Sequence, residues 1–160
     1  MKNKFIAVVL LFTFSVFLGC EKEETTEKET LYVKFINSSA SEYTIYSIQL
    51  RARGSAANHT TPTENWGANI LQNGKTLAPG AHEFFTLEIP NLEWSEYRVG
   101  VIDNGNNLML HEQVGFSSNY ECPITHWGSD ERTVEVTVKK DIFTGLINYS
   151  GYSDFAGIEN

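Results

Sequence analysis

Between Leu31 and Asp141 apolar residues recur at every second position in short runs, and no stretch of twelve residues or more repeats them at a helical period. Alternation of this kind belongs to strands that bury one face of a sheet, and it leaves no helix with an apolar stripe to cover. The cleanest case is Arg132 to Val138, where Val134, Val136 and Val138 point one way and Thr133, Glu135 and Thr137 the other. Leu31 to Ile36 is a second run, closed by Asn37, Ser38 and Ser39. In Tyr43 to Leu50 the expected inner face is Tyr46, Ile48 and Leu50, with Tyr43 and Ile45 opposite. Phe85, Leu87 and Ile89 alternate with Phe84, Thr86 and Glu88. Tyr97, Val99 and Val101 share a face of the next strand, which a reversal at Asn104-Gly105 joins to Leu108 to Val114 as a hairpin. About six or seven strands in a domain of this size predict an all-β fold, two antiparallel sheets packed as a β-sandwich, with a small β-barrel as the alternative.

The chain ahead of that domain has a different character. Lys2 and Lys4 precede an apolar run from Phe5 to Leu18 that only Thr13 and Ser15 interrupt, so residues 1–19 read as a secretory signal. As a helix the run reaches about 21 Å, short of a hydrocarbon core of roughly 30 Å. It stops at Gly19-Cys20 and turns polar, which resembles a bacterial lipoprotein signal. That resemblance implies a diacylglycerol thioether on Cys20, chemistry that requires a nucleophilic thiolate. Lys22, Glu23 and Glu24 resemble the surface-export signal of Bacteroidetes lipoproteins, implying an outer-membrane protein facing the cell surface, with the periplasmic face as the alternative. Residues 20–30 contain no apolar side chain after Cys20 and read as a disordered acidic spacer.

Within residues 31–141, Asn37 with Tyr43 to Tyr46, Trp66-Gly67, Leu77 to Gly80, and Tyr97 to Gly105 resemble small secreted bacterial immunoglobulin-like β-sandwich domains. The resemblance implies a fold and little about activity. The chain departs from it in an insertion, roughly residues 115–131, and in the aromatic tail 142–160, which is expected to dock on the domain in part.

Twelve Lys and Arg against twenty Asp and Glu give a net charge of -8, which disfavours nucleic acid. His59, His82, His111 and His126 form no ligand pair, and Cys122 with His126 lacks the further ligands of a zinc site, so no metal and no cofactor are expected. Asp103 to Asn107 carries one carboxylate, too few for calcium, and is explained by the hairpin. No nucleophile elbow occurs, and neither Glu93 with Glu96 nor Asp130 with Glu131 fixes a catalytic pair. The protein is therefore expected to bind rather than to catalyse, as a monomer held to the membrane by its N-terminal lipid. Trp66, Trp94, Tyr120 and Trp127 lie in apparent loops, where flat rings beside polar groups suit a glycan, with Tyr120 and Trp127 favoured. The alternative partner is an envelope protein, met through an edge strand or the aromatic tail.

Overall fold

A computed structural model describes residues 29–55, 64–110 and 122–153 of the chain, with side chains as far as Gly151. Its strands are β1 Thr30–Asn37, β2 Thr44–Ser55, β3 His82–Glu88, β4 Glu93–Asp103, β5 Asn106–Met109, β6 Pro123–Thr125, β7 Glu131–Lys140 and β8 Ile147–Ser153. They form two sheets. One has the order β3-β1-β7-β8; the other has the order β2-β4-β5, with β6 also on β4. Because β2 accompanies β4 along its whole length, β5 and β6 share the opposite edge in tandem, β5 on Gly100 to Asp103 and β6 on Trp94 to Glu96.

The sheets meet over a common core that includes Leu31, Val33 and Phe35 of β1, Ile45 and Ile48 of β2, Tyr97, Val99 and Val101 of β4, and Val134, Val136 and Val138 of β7. Phe35 meets the Tyr97 ring edge-on across the interface, 5.3 Å between centroids at 83°. The Tyr149 hydroxyl of β8 donates to the Tyr97 carbonyl at 3.3 Å, a second tie between the sheets. Asn37 is fully buried where β1 ends, and its amide donates to the carbonyls of Tyr43 (2.9 Å) and Leu77 (2.8 Å). Those bonds tie the end of β1 to the backbone before β2 and to the Leu77 carbonyl, which also accepts from Ile45 N–H at 2.9 Å.

Two expectations change. The first sheet is not wholly antiparallel, since β1 and β7 run parallel from Tyr32 opposite Glu131 to Asn37 opposite Val136. Strands so far apart in the chain need no tight reversal, so burial of their apolar faces sets their direction instead. The inner face of β2 also departs from simple alternation. A register shift between Ile45 and Ser47 puts Ile45 and Ile48 both in the core, and Tyr46 turns outward over Gly100. One extra residue at a bulge reverses the phase of everything beyond it. Asn104 and Gly105, with φ of 50° and 79°, make the reversal from β4 to β5. The start of the tail is ordered structure: β8 pairs antiparallel with β7 from Ile147 opposite Lys140 to Ser153 opposite Val134.

The registers give the molecule two poles. At one, β1, β4 and β7 begin and β2, β3 and β6 end, so the 89–92 and 126–130 connections lie there with the N-terminal approach at Thr30. At the other lie the 38–43, 104–105 and 141–146 turns.

Candidate binding surface

The outer face of the β3-β1-β7-β8 sheet carries aromatic rings that the core does not use. Leu31, Val33 and Phe35 point inward, so parity turns Tyr32, Lys34 and Ile36 outward on β1. On β3 the same rule turns His82, Phe84 and Thr86 outward. Register brings them together: Tyr32 lies between Thr86 and Glu131, and Lys34 lies opposite Phe84. Tyr32 is 56% exposed and Phe84 66% exposed. The His82 ring stands edge-on to Phe84 at 5.4 Å and 89°, and the Lys34 ammonium lies 6.0 Å from the Phe84 centroid. Tyr32, Lys34, Phe84 and Thr86, together with Ser129, Glu131 and Thr133, line an open groove of about 430 Å³. Ring faces and hydrogen-bonding side chains therefore share one shallow surface. At the outer edge of β3, Lys75 donates to the Glu83 carboxylate at 2.7 Å, and that bond holds the carboxyl below the usual range.

The tryptophans expected to bind are dispersed. Trp66 is half-buried beside the second sheet, with the guanidinium carbons of Arg51 and Arg98 at 4.3 Å and 4.7 Å from its ring centroid. Its segment runs along β2 through Gly67 N–H to the Leu50 carbonyl (2.8 Å) and Ile70 N–H to the Ile48 carbonyl (2.9 Å). Beneath it, Glu96 is buried and accepts from Arg51 and, at 2.9 Å, from Arg53. Arg98 donates to Gln49 at 2.7 Å. Trp66 is thus the lid of an ion cluster, its ring already engaged by cations. Trp94, half-buried, shares the outer side of β4 with Glu96 and Arg98. Trp127, 46% exposed, stands in the 126–130 connection at the pole where β1 begins, and Trp94 lies near that pole too, opposite Thr125 of β6. Tyr120, Cys20, Lys22, Glu23 and Glu24 lie outside the described residues.

The loop that carries Trp127 is rigidly built. His126 is buried, with Nδ1 2.5 Å from the Ile89 carbonyl and Nε2 3.1 Å from Asp130 Oδ1. Arg132, also buried, donates to the carbonyls of Thr125 (2.9 Å), Glu131 (3.0 Å) and Trp127. Cys122 is buried against the Tyr97 hydroxyl, whose pKa is pushed up by burial first and by the thiol second. Cys122 and His126 therefore serve different packing roles, and among the described residues no three His, Cys, Asp or Glu side chains converge.

Leu92 adds a strained feature. It is 47% exposed with φ of 66°, a left-handed conformation that costs a bulky residue about 1 kcal/mol or more. Its N–H donates to the His126 carbonyl at 2.6 Å, which holds it there. Leu92→Gly is expected to raise stability by about 1 kcal/mol, read as a higher urea midpoint at unchanged slope.

Tyr32 and Phe84 are not among the binding candidates that loop position suggests, yet their signal is present in the sequence. Each is a large ring on the wet parity of a strand whose other side carries core residues, Leu31, Val33 and Phe35 in β1 and Phe85 and Leu87 in β3. The chain matches no family model, and a search of curated proteins finds no matching relative.

Proposed function

We propose that this is a non-enzymatic, lipid-anchored envelope domain of immunoglobulin-like β-sandwich form, which captures glycan on the outer face of the β3-β1-β7-β8 sheet. The exposed Tyr32 and Phe84 pair carries the reading. Aromatic faces stack on the apolar C–H faces of sugar rings, and Lys34, Thr86, Ser129, Glu131 and Thr133 supply donors and acceptors for hydroxyls. The groove is shallow and open, which suits a chain lying across it better than a small molecule enclosed within it. Lipid on Cys20 places this face at an envelope surface, with the cell surface favoured by Lys22, Glu23 and Glu24. Sandwich geometry is supported by the shared core and the Phe35–Tyr97 contact.

The test is a glycan array probed with the parent, Tyr32→Ala and Phe84→Ala. Loss of one stacking ring is worth about 1 kcal/mol, so each variant is expected to bind the parent's best glycans at least about fivefold more weakly. Unchanged binding by both variants would remove this face from the function.

A second reading, adhesion to a protein, is favoured by one observation. Ile142 and Phe143 are 87% and 91% exposed at the tip of the β7–β8 turn. Asp141 fixes that tip by accepting from the N–H groups of Thr144 (2.7 Å) and Phe143 (2.8 Å), bonds that lower its carboxyl pKa. A rigid apolar tip at the pole opposite the N-terminal approach fits a protein pocket. Crosslinking from position 143 to an envelope protein, with no array signal, would favour it.

A further inference from the structure

We infer that Leu92 and Trp127 form a lipid-contacting foot, which rests on the membrane to which the domain is tethered. The inference rests on the proposed lipidation of Cys20 for its biological setting, and on the fold for its geometry.

Two bonds gather the foot around the start of β1. Tyr32 N–H donates to the Asp130 carbonyl at 2.8 Å, joining the first strand to the loop that carries Trp127. Leu92 N–H donates to the His126 carbonyl, joining the other apolar side chain to the same loop. The buried His126 and Arg132 hold that loop from inside, so Trp127 is presented on a fixed backbone. Ten residues of chain separate Cys20 from Thr30, and their backbone reaches at most about 33 Å. A lipid at Cys20 therefore holds the start of β1, and the pole around it, within that distance of the headgroups.

The side chains suit that position. Indole, with an apolar body and one N–H donor, favours the headgroup region, and leucine favours the acyl boundary just below it. Exposure of such a pair alone would be unremarkable. Here one member is held outward against its backbone preference, and both stand beside the point where the anchored segment joins the fold. Charge selects the lipid. Glu88, Glu93, Asp130 and Glu131 surround the foot, and Arg132, the basic residue of that loop, is buried and bonded to carbonyls. The foot thus fits zwitterionic headgroups and is repelled by anionic ones.

The test uses the chain from Cys20 onward, which retains both sheets. Its Cys20 thiol is coupled to a maleimide-bearing lipid in phosphatidylcholine vesicles; Cys122 is buried and protected. Tethering is then supplied by chemistry, so the outcome is independent of whether the cell acylates Cys20, which intact-mass analysis of the cell-derived protein decides separately. With brominated phosphatidylcholine, the tethered parent is expected to show tryptophan quenching that Trp127→Phe and Leu92→Asn each reduce at least threefold. Replacing a third of the lipid with phosphatidylglycerol is expected to weaken it at low salt. Absence of quenching in the tethered parent, or equal quenching in parent and Trp127→Phe, would overturn the inference.

Discussion

Gly151→Ala is expected to destabilise the domain by about 3 kcal/mol or more, among the largest effects any single methyl group produces in it. Gly151 lies on β8 opposite Val136, and a Cβ there would sit 1.7 Å from the Tyr97 hydroxyl oxygen, 2.9 Å from Tyr97 Cζ and 3.2 Å from Cys122 Sγ. The tyrosine has nowhere to go. Its ring is buried between Phe35 at 5.3 Å and Tyr149 at 6.3 Å, so relief requires β8 to leave the sheet or the core to open. The measurement is urea unfolding of parent, Gly151→Ala, Tyr97→Phe and the double variant. Removing the hydroxyl deletes the worst clash and leaves the one at Cζ, so the double variant is expected to recover part of the loss. A Gly151→Ala protein within 0.5 kcal/mol of the parent would mean that β8 is not docked as described.

Glu96→Ala is expected to cost about 3–5 kcal/mol, because it removes the buried carboxylate that the guanidinium groups of Arg53 and Arg51 share. The loss combines desolvation of the remaining charges with loosening of the Trp66 lid, since Arg51 both packs on that ring and pairs with Glu96. Glu96→Gln keeps an acceptor and is expected to lose less. Replacing Glu96 with leucine and Arg53 with methionine together is expected to return most of the stability, as buried pairs exchanged for apolar volume commonly do. Thermal unfolding of the three variants, followed by near-ultraviolet dichroism for the Trp66 environment, separates these outcomes. An Ala variant as stable as the parent would place the cluster in solvent rather than under the lid.

These expectations also mark where the sequence is legible and where it is not. Strand parity is readable in β1, β3 and β7, because each keeps an unbroken alternation over at least seven residues. That parity alone turns Tyr32 and Phe84 outward. In β2 it fails at Tyr46, since a bulge depends on how β4 lies alongside, and no local pattern announces it. The parallel pairing of β1 with β7 is equally silent, being decided by two faces that meet only in the folded core. Trp66 shows the same limit for sites. Its neighbours in sequence suggest an open loop, but the arginines that cover it come from β2 and β4, more than a dozen residues away in either direction. Side chains whose partners are local can be placed from the sequence; those whose partners lie on another strand need the register.

The binding surface itself is tested most directly by mapping amide chemical-shift changes on addition of the glycan that scores highest on the array. Changes concentrated at Tyr32, Lys34, Phe84, Thr86, Glu131 and Thr133 are the predicted result. Changes confined to the Trp66 segment, the Trp127 loop or the Ile142–Phe143 tip, with the β1 and β3 amides unmoved, would contradict it.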